Sequence, residues 1–448
     1  MAERVGIGVP IGAGIVCALV GFTSSFAVVL AGLRAVGADA AQATSGLIAV
    51  GLAMGVAALL LSWRFRMPIT CAWSTPGAAL LISTGAIAGG WPAAVGAFVV
   101  TGALFVLTGL WPALSSLVAR IPAPIAQAML AGVLLPLCMA PVTGLSHNPA
   151  AIAPVLLVWL VLLKLAPRLA VPGAFVAALV VIVVSLIHSG HAPGASAFVP
   201  HLAWTAPHVT LQAVTGIVIP LYVVTMASQN IPGVAVMGTY GYRVPWRASL
   251  TVTGVGSMAA AAFGGHAINL AAITAALAAA PEADPDRERR WVAGFTAGCV
   301  YVVLAGLSAG LIAVVLDAPA GVVQAVAGVA LLGAFSSSAA GAMAEESARI
   351  PAAVAFVIAA SGTAIAGIGS AFWALLVGIV VYLVFRWQRH RPVREEDPQE
   401  CQKASCSDAF RTRSPVTTHR WRAAQRSARW TRPIQIVATT EITPVTAR

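Results

Sequence analysis

Two short stretches decide the fold: Met67-Pro-Ile-Thr-Cys-Ala-Trp-Ser-Thr-Pro-Gly77 and Phe263-Gly-Gly-His-Ala-Ile-Asn-Leu270. Each is typical of an extended or irregular segment that is followed by a helix. Ser74 or Thr75 is suited to cap the first helix, ahead of a proline, and Asn269 is suited to cap the second. A helix N-terminus carries free N–H groups and the positive end of the helix dipole, so two of them at mid-membrane would bind an anion. We therefore expect a substrate with negative charge.

The composition around these stretches is that of a membrane protein. Of the 448 residues, 59% are hydrophobic and 9% are charged, whereas about 25% of the residues of a soluble domain are charged. Residues 386–448 hold 13 of the 26 Lys and Arg and 6 of the 15 Asp and Glu, so this tail carries +7 of the net charge of +11. Because the excess charge lies in the tail, it does not indicate a nucleic-acid partner. We expect the rest of the chain to lie in the lipid bilayer.

The uncharged runs predict fourteen spans. A helix needs about 20 apolar residues to cross a bilayer, and the longer runs are divided by Pro, Gly and Trp. With the N-terminus in the cytoplasm, twelve Arg or Lys fall in inner loops and only Arg34 falls in an outer loop, which agrees with the positive-inside rule. The predicted fold class is therefore an all-α polytopic membrane protein with fourteen transmembrane segments and both termini in the cytoplasm.

A shift of the chain by 197 residues reveals an internal repeat, in which Phe98 falls on Phe295 and Pro122 falls on Pro319. The repeat unit is seven spans, and because seven is odd the second copy is inverted in the membrane. Inverted repeats with interrupted helices are typical of secondary transporters. We expect a transporter domain over residues 1–390, with repeats at about 5–195 and 205–388, and a basic tail over 391–448. The two quoted stretches then begin spans 3 and 10, which are discontinuous.

Polar residues inside spans are functional candidates because they are costly in lipid. His266 in span 10 has the side chain whose ordinary pKa near 6.5 suits a proton carrier; the alternative is a neutral histidine bonded within the bundle. Gln229 and Asn230 in span 8 precede a Pro-Gly pair that indicates an interrupted helix, and the alternative is a polar clasp between helices. Ser24 and Ser25 occupy a comparable place in span 1, where hydroxyls also serve helix packing.

The remaining candidate chemistries have little support. The sequence contains no Walker A motif, no HExxH motif, no metal-site spacing and no disulfide framework, and no cleavable signal peptide is evident. A Ser74–His266 hydrolase would lack the GxSxG elbow, so we expect neither an enzyme nor a cofactor or metal. The other ionisable groups are expected at surfaces and loop edges: His188, His191, His201, His208, Asp317, Glu345 and Glu346.

Two motifs resemble one family. Val224-Thr-Met-Ala-Ser-Gln-Asn-Ile-Pro-Gly233 and Phe263–Ala276 are similar to the span 8 and span 10 signatures of the benzoate transporter family, the benzoate–proton symporters of bacterial inner membranes. The similarity covers about residues 5–390. The family is related to uracil/xanthine permeases and to sulfate and bicarbonate transporters. This resemblance implies a core domain of spans 1–4 and 8–11 and a gate domain of spans 5–7 and 12–14.

The resemblance also implies a substrate site between spans 3 and 10. It is expected to be formed by Ser74, Thr75, Gln229, Asn230, His266, Asn269, Ser24 and Ser25, and His266 is the expected proton site. Uracil-type permeases have glutamates where this chain has amides and a histidine, which argues against a nucleobase and for a carboxylate.

The expected function is import of benzoate or a similar aromatic carboxylate with protons across the bacterial inner membrane. The alternatives are transport of another small organic anion or a nucleobase-like substrate, a facilitator without proton coupling, or an anion channel. Relatives of this fold are often dimers, so a homodimer is compatible with the sequence. The tail is expected to be a disordered cytoplasmic extension, and its alternative role is contact with anionic lipid headgroups.

Overall fold

The computed structural model describes residues 7–118, 120–190, 194 and 198–389, so His191 and the tail over 391–448 lie outside the described residues. The described chain consists of helices and two short strands. The helices of its first half are α1 Gly8–Thr23, α2 Phe26–Ala35, α3 Ala40–Phe65, α4 Thr75–Thr84, α5 Gly90–Leu110, α6 Pro112–Val118, α7 Ala123–His147, α8 Pro149–Leu165 and α9 Ala170–Ser189. Those of its second half are α10 Leu211–Ala213, α11 Ile219–Thr225, α12 Ile231–Thr239, α13 Trp246–Ala261, α14 Ile273–Ala279, α15 Trp291–Leu316, α16 Val322–Met343, α17 Arg349–Ala360 and α18 Ser370–Arg389.

Within the described residues, eight helical segments are long and apolar enough to cross a membrane. They are Gly8–Ala35, Ala40–Phe65, Gly90–Leu110, Ala123–His147, Pro167–Ser189, Leu211–Thr239, Trp291–Leu316 and Val322–Met343. The predicted helical, polytopic membrane protein is therefore confirmed. The prediction of fourteen spans stays a prediction, since helices as short as α4, α14 and α17 cannot cross a bilayer by their own length.

The predicted extended segments are present as two strands, β1 at Cys71–Trp73 and β2 at Ile268–Leu270. They pair antiparallel, with Ala72 opposite Asn269. β1 leads into α4, and β2 leads into α14. Because the strands run in opposite directions, the two helices begin at opposite ends of the strand pair.

The first predicted span is broken between α1 and α2. Ser24 ends α1, and Ser25 has a non-helical backbone with φ −139° and ψ 0°. The hydroxyls of both serines lie 3.1 and 3.3 Å from the carbonyl oxygen of Gly21. Such local bonds compete with the helical hydrogen-bond pattern, which accounts for a break that the uncharged run from residue 5 to 33 did not predict.

The third predicted interruption, in span 8, takes a different form. Leu211–Thr239 is one helical segment that contains two π-helical turns, Val214–Val218 and Met226–Asn230. The second π-helical turn holds Gln229 and Asn230, and Pro232 follows it in the first turn of α12. A π-helical turn adds a residue to the helix without ending it, so the helix is widened before the proline instead of stopping there.

Four helices pack in two crossed couples, and one helix of each couple, α3 or α13, contacts the strand pair. α3 packs on α15, and α13 packs on α5. Each couple meets at a pair of glycines: a Cβ on Gly298 would lie 2.8 Å from the carbonyl oxygen of Gly55, and a Cβ on Gly254 would lie 2.8 Å from that of Gly102. Small residues at such crossings let helix backbones approach closely in membranes.

A second group consists of α7, α8, α9, α16 and α17. α7 packs on both α16 and α17, and α8 packs on α9. Contacts of α16 with α2, of α7 with α4 and of α9 with α1 join this group to the helices around the strands. The strand pair therefore lies in the first group, with the second group beside it.

We predict that Gly298→Ala destabilises the protein by about 1–3 kcal/mol, because the added methyl group would overlap the backbone of α3. The matched control is Gly306→Ala on the same helix, where a Cβ has nothing within 4 Å. Thermal unfolding of the purified proteins in detergent measures both. A control variant that loses as much stability as Gly298→Ala would contradict the glycine crossing.

Candidate functional site

The candidate site is the strand pair together with the helix ends attached to it. Hydrogen bonds extend the pairing on both sides, from Ser74 N to the Ala267 oxygen at 2.9 Å and from Ala271 N to the Thr70 oxygen at 3.0 Å. All these residues are buried. Backbone that is neither helical nor part of a larger sheet is tolerated at membrane depth only where protein surrounds it, and such places are typical of transporter binding sites.

Ser74 is the N-cap of α4, as predicted. Its hydroxyl accepts a hydrogen bond from the N–H of Gly77 at 3.1 Å, and it lies 2.7 Å from the hydroxyl of Thr225 on α11. Thr75 is the first residue of α4, and Pro76 brings no N–H. The first turn of α4 therefore offers a ligand fewer free N–H groups than we expected from a bare helix end, although its dipole is unchanged.

His266 contacts this cap from the other half of the chain. Its Nε2 lies 3.1 Å from the carbonyl oxygen of Ser74. A carbonyl oxygen only accepts hydrogen bonds, so Nε2 carries the proton of the neutral ring and Nδ1 carries the lone pair. Nδ1 is buried and has no hydrogen-bond partner in the described part of the chain. The ring also lies edge-on to Phe98, with 6.4 Å between ring centroids.

Asn230 joins the helical segment Leu211–Thr239 to β2. It is fully buried, and its Oδ1 accepts a hydrogen bond from the N–H of Leu270 at 2.9 Å. Its Nδ2 lies 3.3 Å from the sulfur of Met226. This is the polar clasp that the sequence left open as an alternative for Asn230. The neighbouring Gln229 is half-buried.

Asn269 does not cap α14, and the predicted capping role is wrong. The N-cap position is Ala272, and Asn269 is the middle residue of β2. The capping signal failed because asparagine is common both at N-caps and in irregular segments, and only the pairing with β1 shows which applies. The Asn269 side chain is fully buried, and neither its nitrogen nor its oxygen has a partner among the residues that the structure describes.

Thr70 is a site residue that the sequence analysis missed. It lies beside Ala271 in the strand register, and its buried hydroxyl also has no partner within the described ranges. Alternate residues of a strand share a face, so Thr70 and Asn269 are diagonal neighbours on one face of the pair. The strand register would have revealed this pairing, but the sequence does not give the register.

Ser25 is connected to β1, and Ser24 is not. The buried hydroxyl of Ser25 accepts a hydrogen bond from the indole nitrogen of Trp73 at 3.0 Å. Ser24 is half-buried and bonds within its own segment. The structure thus brings five of the eight predicted residues onto the strand pair or into a bond with it, namely Ser25, Ser74, Asn230, His266 and Asn269. Thr75 and Gln229 are their chain neighbours.

The ionisable groups outside the site are placed as predicted at exposed positions: His188, His201, His208, Asp317, Glu345 and Glu346. Among the residues described, no group of three or more His, Cys, Asp or Glu could hold a metal ion.

Solved transporter structures share this fold. The transmembrane domain of a cyanobacterium bicarbonate transporter, BicA, matches with a TM-score of 0.55 at 15% identity, covering 86% of this chain and 98% of that one. The structure of SLC26A9 matches with a TM-score of 0.58 at 14% identity, covering 85% of this chain and 65% of that one. At such identities the likeness concerns the fold alone.

The chain belongs to the benzoate membrane transport protein family, which its residues 8–384 match. It is 40% identical over 375 residues to the inner membrane protein YdcO of Escherichia coli, covering 83% of this chain and 94% of the relative. It is 29% identical over 343 residues to the benzoate membrane transport protein of Acinetobacter baylyi, covering 75% and 84%. The protein is therefore a multi-pass membrane transporter and not an enzyme.

We predict that Asn230→Ala costs about 1–3 kcal/mol of stability, because it leaves the buried N–H of Leu270 without an acceptor. Gln229→Ala, one residue earlier and half-buried, should stay within about 0.5 kcal/mol of the parent. Thermal unfolding without substrate compares them. Equal losses for the two variants would show that the clasp is not the source of the effect.

Proposed function

We propose that the protein is a secondary active transporter that imports benzoate or a similar aromatic carboxylate with protons across the bacterial inner membrane. Its membership in the benzoate membrane transport protein family supports a transported anion. The observation that carries the proposal is the set of buried polar groups at the strand pair, where Asn269, Thr70 and Nδ1 of His266 have no partner in the described chain. A buried polar group costs free energy unless something bonds to it, so these groups are suited to receive a ligand.

The proposed architecture is fourteen spans in two inverted repeats of seven, within a transporter domain over residues 1–390. Spans 1 to 7 are assigned to α1–α2, α3, β1–α4, α5, α7, α8 and α9. Spans 8 to 14 are assigned to α10–α12, α13, β2–α14, α15, α16, α17 and α18. The positive-inside count supports a cytoplasmic N-terminus and C-terminus.

The packing of the helices supports the repeat. Under this assignment α3 corresponds to α13, and α5 corresponds to α15. The two crossed couples, α3 with α15 and α5 with α13, are then equivalent to each other, and both meet at paired glycines. The core domain would be spans 1–4 and 8–11, and the gate domain spans 5–7 and 12–14. Alternating access would follow from movement of one domain against the other.

The groups at the strand pair suit a carboxylate. The Asn269 amide and the Thr70 hydroxyl both supply donors, and the N-terminus of α4 adds the positive end of its dipole. Neither of the two quoted stretches contains an Asp or Glu that would repel an anion. Ser74, Thr75, Gln229 and Asn230 would complete the surroundings of the substrate, with Ser24 and Ser25 at the break in span 1.

His266 is the proposed proton site, with Nδ1 as the accepting atom. Protonation would place a positive charge beside the positive end of the α4 dipole, which is unfavourable unless an anion lies nearby. Bound carboxylate and bound proton would therefore favour each other, and such coupling is reciprocal. One proton per benzoate would also cancel the cost of about 2.3 kcal/mol per 100 mV for bringing an anion into a negative interior.

We predict that the purified protein in liposomes accumulates labelled benzoate when the outside is more acidic than the inside. The proton gradient supplies the driving force, so a protonophore should abolish accumulation. Aromatic carboxylates should compete, and uracil should not. Uptake that only equilibrates benzoate would indicate a facilitator or a channel, and competition by uracil alone would indicate a nucleobase substrate.

We predict that His266→Gln loses proton-driven accumulation but keeps benzoate exchange between the two sides. Glutamine can still donate a hydrogen bond to the Ser74 carbonyl, but it cannot take up a proton. The matched control is His201→Gln at an exposed position. If His266→Gln retains full proton-coupled uptake, His266 is the structural histidine that the sequence left open as an alternative.

A further inference from the structure

Arg290 is buried at the far end of the half-helix α14. The residue is 7% exposed. Its Nη1 donates a hydrogen bond at 2.8 Å to the carbonyl oxygen of Ala279, the last residue of α14. Its Nε donates at 2.6 Å to the carbonyl oxygen of Asp284, and its Nη2 lies 3.5 Å from that of Pro285. In the sequence this arginine is one of the positive charges assigned to the inner loops.

These contacts stabilise the C-terminal end of a short helix. The last carbonyl groups of a helix have no partner within the helix, and a positive charge there is stabilised by the negative end of the dipole. The planar guanidinium can donate to several carbonyl oxygens at once. α14 has seven residues, too few for a helix that stands by itself. The strand pair anchors its beginning, and Arg290 anchors its end.

The loop around Arg290 is itself ordered. The carboxylate of Asp284 is 1% exposed; its Oδ1 accepts the N–H of Asp286 at 2.8 Å, and its Oδ2 lies 3.7 Å from Nε of Arg289. These bonds hold the Asp284 backbone carbonyl where Arg290 contacts it. The guanidinium is therefore placed by the fold and does not rest on a loose loop.

The same loop is tied to the end of span 8. Arg287 donates a hydrogen bond to the carbonyl oxygen of Gly241, and its guanidinium lies 4.6 Å from the ring centroid of Tyr242. The Tyr242 hydroxyl in turn donates to the carbonyl oxygen of Arg287 at 2.7 Å. α12, which ends just before this contact, also packs on α14. Spans 8 and 10 are thus linked at this end as well as through Asn230 and β2.

We propose that Arg290 is a positioning residue for the substrate site. It holds the last turn of α14, and because the helix is only about 10 Å long it thereby sets the position of the first turn and of Asn269 in β2. The inference rests on the proposed function, since it takes the strand pair as the place where substrate binds. Arg290 itself touches no substrate in this proposal.

The test compares Arg290→Gln with Arg290→Lys and with Arg243→Gln. Arg243 is an exposed arginine near Tyr242, so its substitution removes the same charge from the same side. In liposome uptake, Arg290→Gln should raise KM for benzoate about 10-fold while kcat changes less than 3-fold. Arg290→Lys should recover part of the loss because a positive charge remains at the helix end, and Arg243→Gln should match the parent.

Hydrogen exchange supplies a readout that does not depend on the transported substrate. Amides of α14 should exchange at least 5-fold faster in Arg290→Gln, whereas those of α4 should be unchanged, which separates local loosening from global destabilisation. If Arg290→Gln does not accumulate in the membrane, Arg290→Lys is measured in its place and should show a smaller change of the same kind.

The outcomes separate the two proposals. Faster exchange in α14 without any benzoate transport by the parent would support the positioning role and remove the proposed function. Benzoate uptake with unchanged KM and unchanged α14 exchange in the Arg290 variants would overturn the positioning role. Equal loosening of α4 and α14 would also overturn it, because Arg290 would then stabilise the whole fold without acting on one helix.

Discussion

The antiparallel pairing of β1 with β2 is the interaction on which the rest of the site depends. An extended backbone inside a membrane has no water to satisfy its N–H and C=O groups, and each unsatisfied group costs several kcal/mol. Two such segments, almost 200 residues apart in the chain, satisfy each other through the pair Ala72 and Asn269 and its neighbours. Each half of the chain therefore depends on the other half to stabilise its extended segment, β1 or β2.

The outer edge of this strand pair explains why polar residues occur in the neighbouring helices. The N–H of Ile268 donates a hydrogen bond to the hydroxyl of Ser257 on α13, at 2.9 Å. The N–H of Leu270 donates to Oδ1 of Asn230, also at 2.9 Å. The hydroxyl of Ser25 likewise accepts a hydrogen bond from the indole N–H of Trp73. Polar residues that look like ligand contacts in a sequence therefore also complete the backbone hydrogen bonds. The side-chain groups that have no hydrogen-bond partner among the described residues, above all those of Asn269 and Thr70, are the stronger candidates for substrate contact.

Whether a prediction succeeded depended on the range of the contacts behind it. Bonds within one helical turn could be predicted from the sequence, and contacts between distant segments could not. Ser74, one of the two residues predicted as the N-cap, is the N-cap, because its hydroxyl bonds to an N–H within the same turn. Asn269 was misassigned, and Thr70 was missed, because both depend on strand register between distant segments. The Trp73 contact of Ser25 joins two distant segments and is equally invisible in a hydropathy run. Arg290 was counted as a positive charge of an inner loop, whereas it is buried against the last carbonyl group of α14.

The amino-acid sequence alone determined that the chain is a helical membrane protein, where its charges are tolerated, and which two stretches interrupt the helices. These properties follow from the cost of charge in lipid and from turn-level preferences, which any local stretch of sequence carries. Only the tertiary structure decided which nitrogen of His266 is left free, which amides are already used by the backbone, and how the end of α14 is held. Those properties arise from atoms of distant segments that meet in one place, and no local pattern records them.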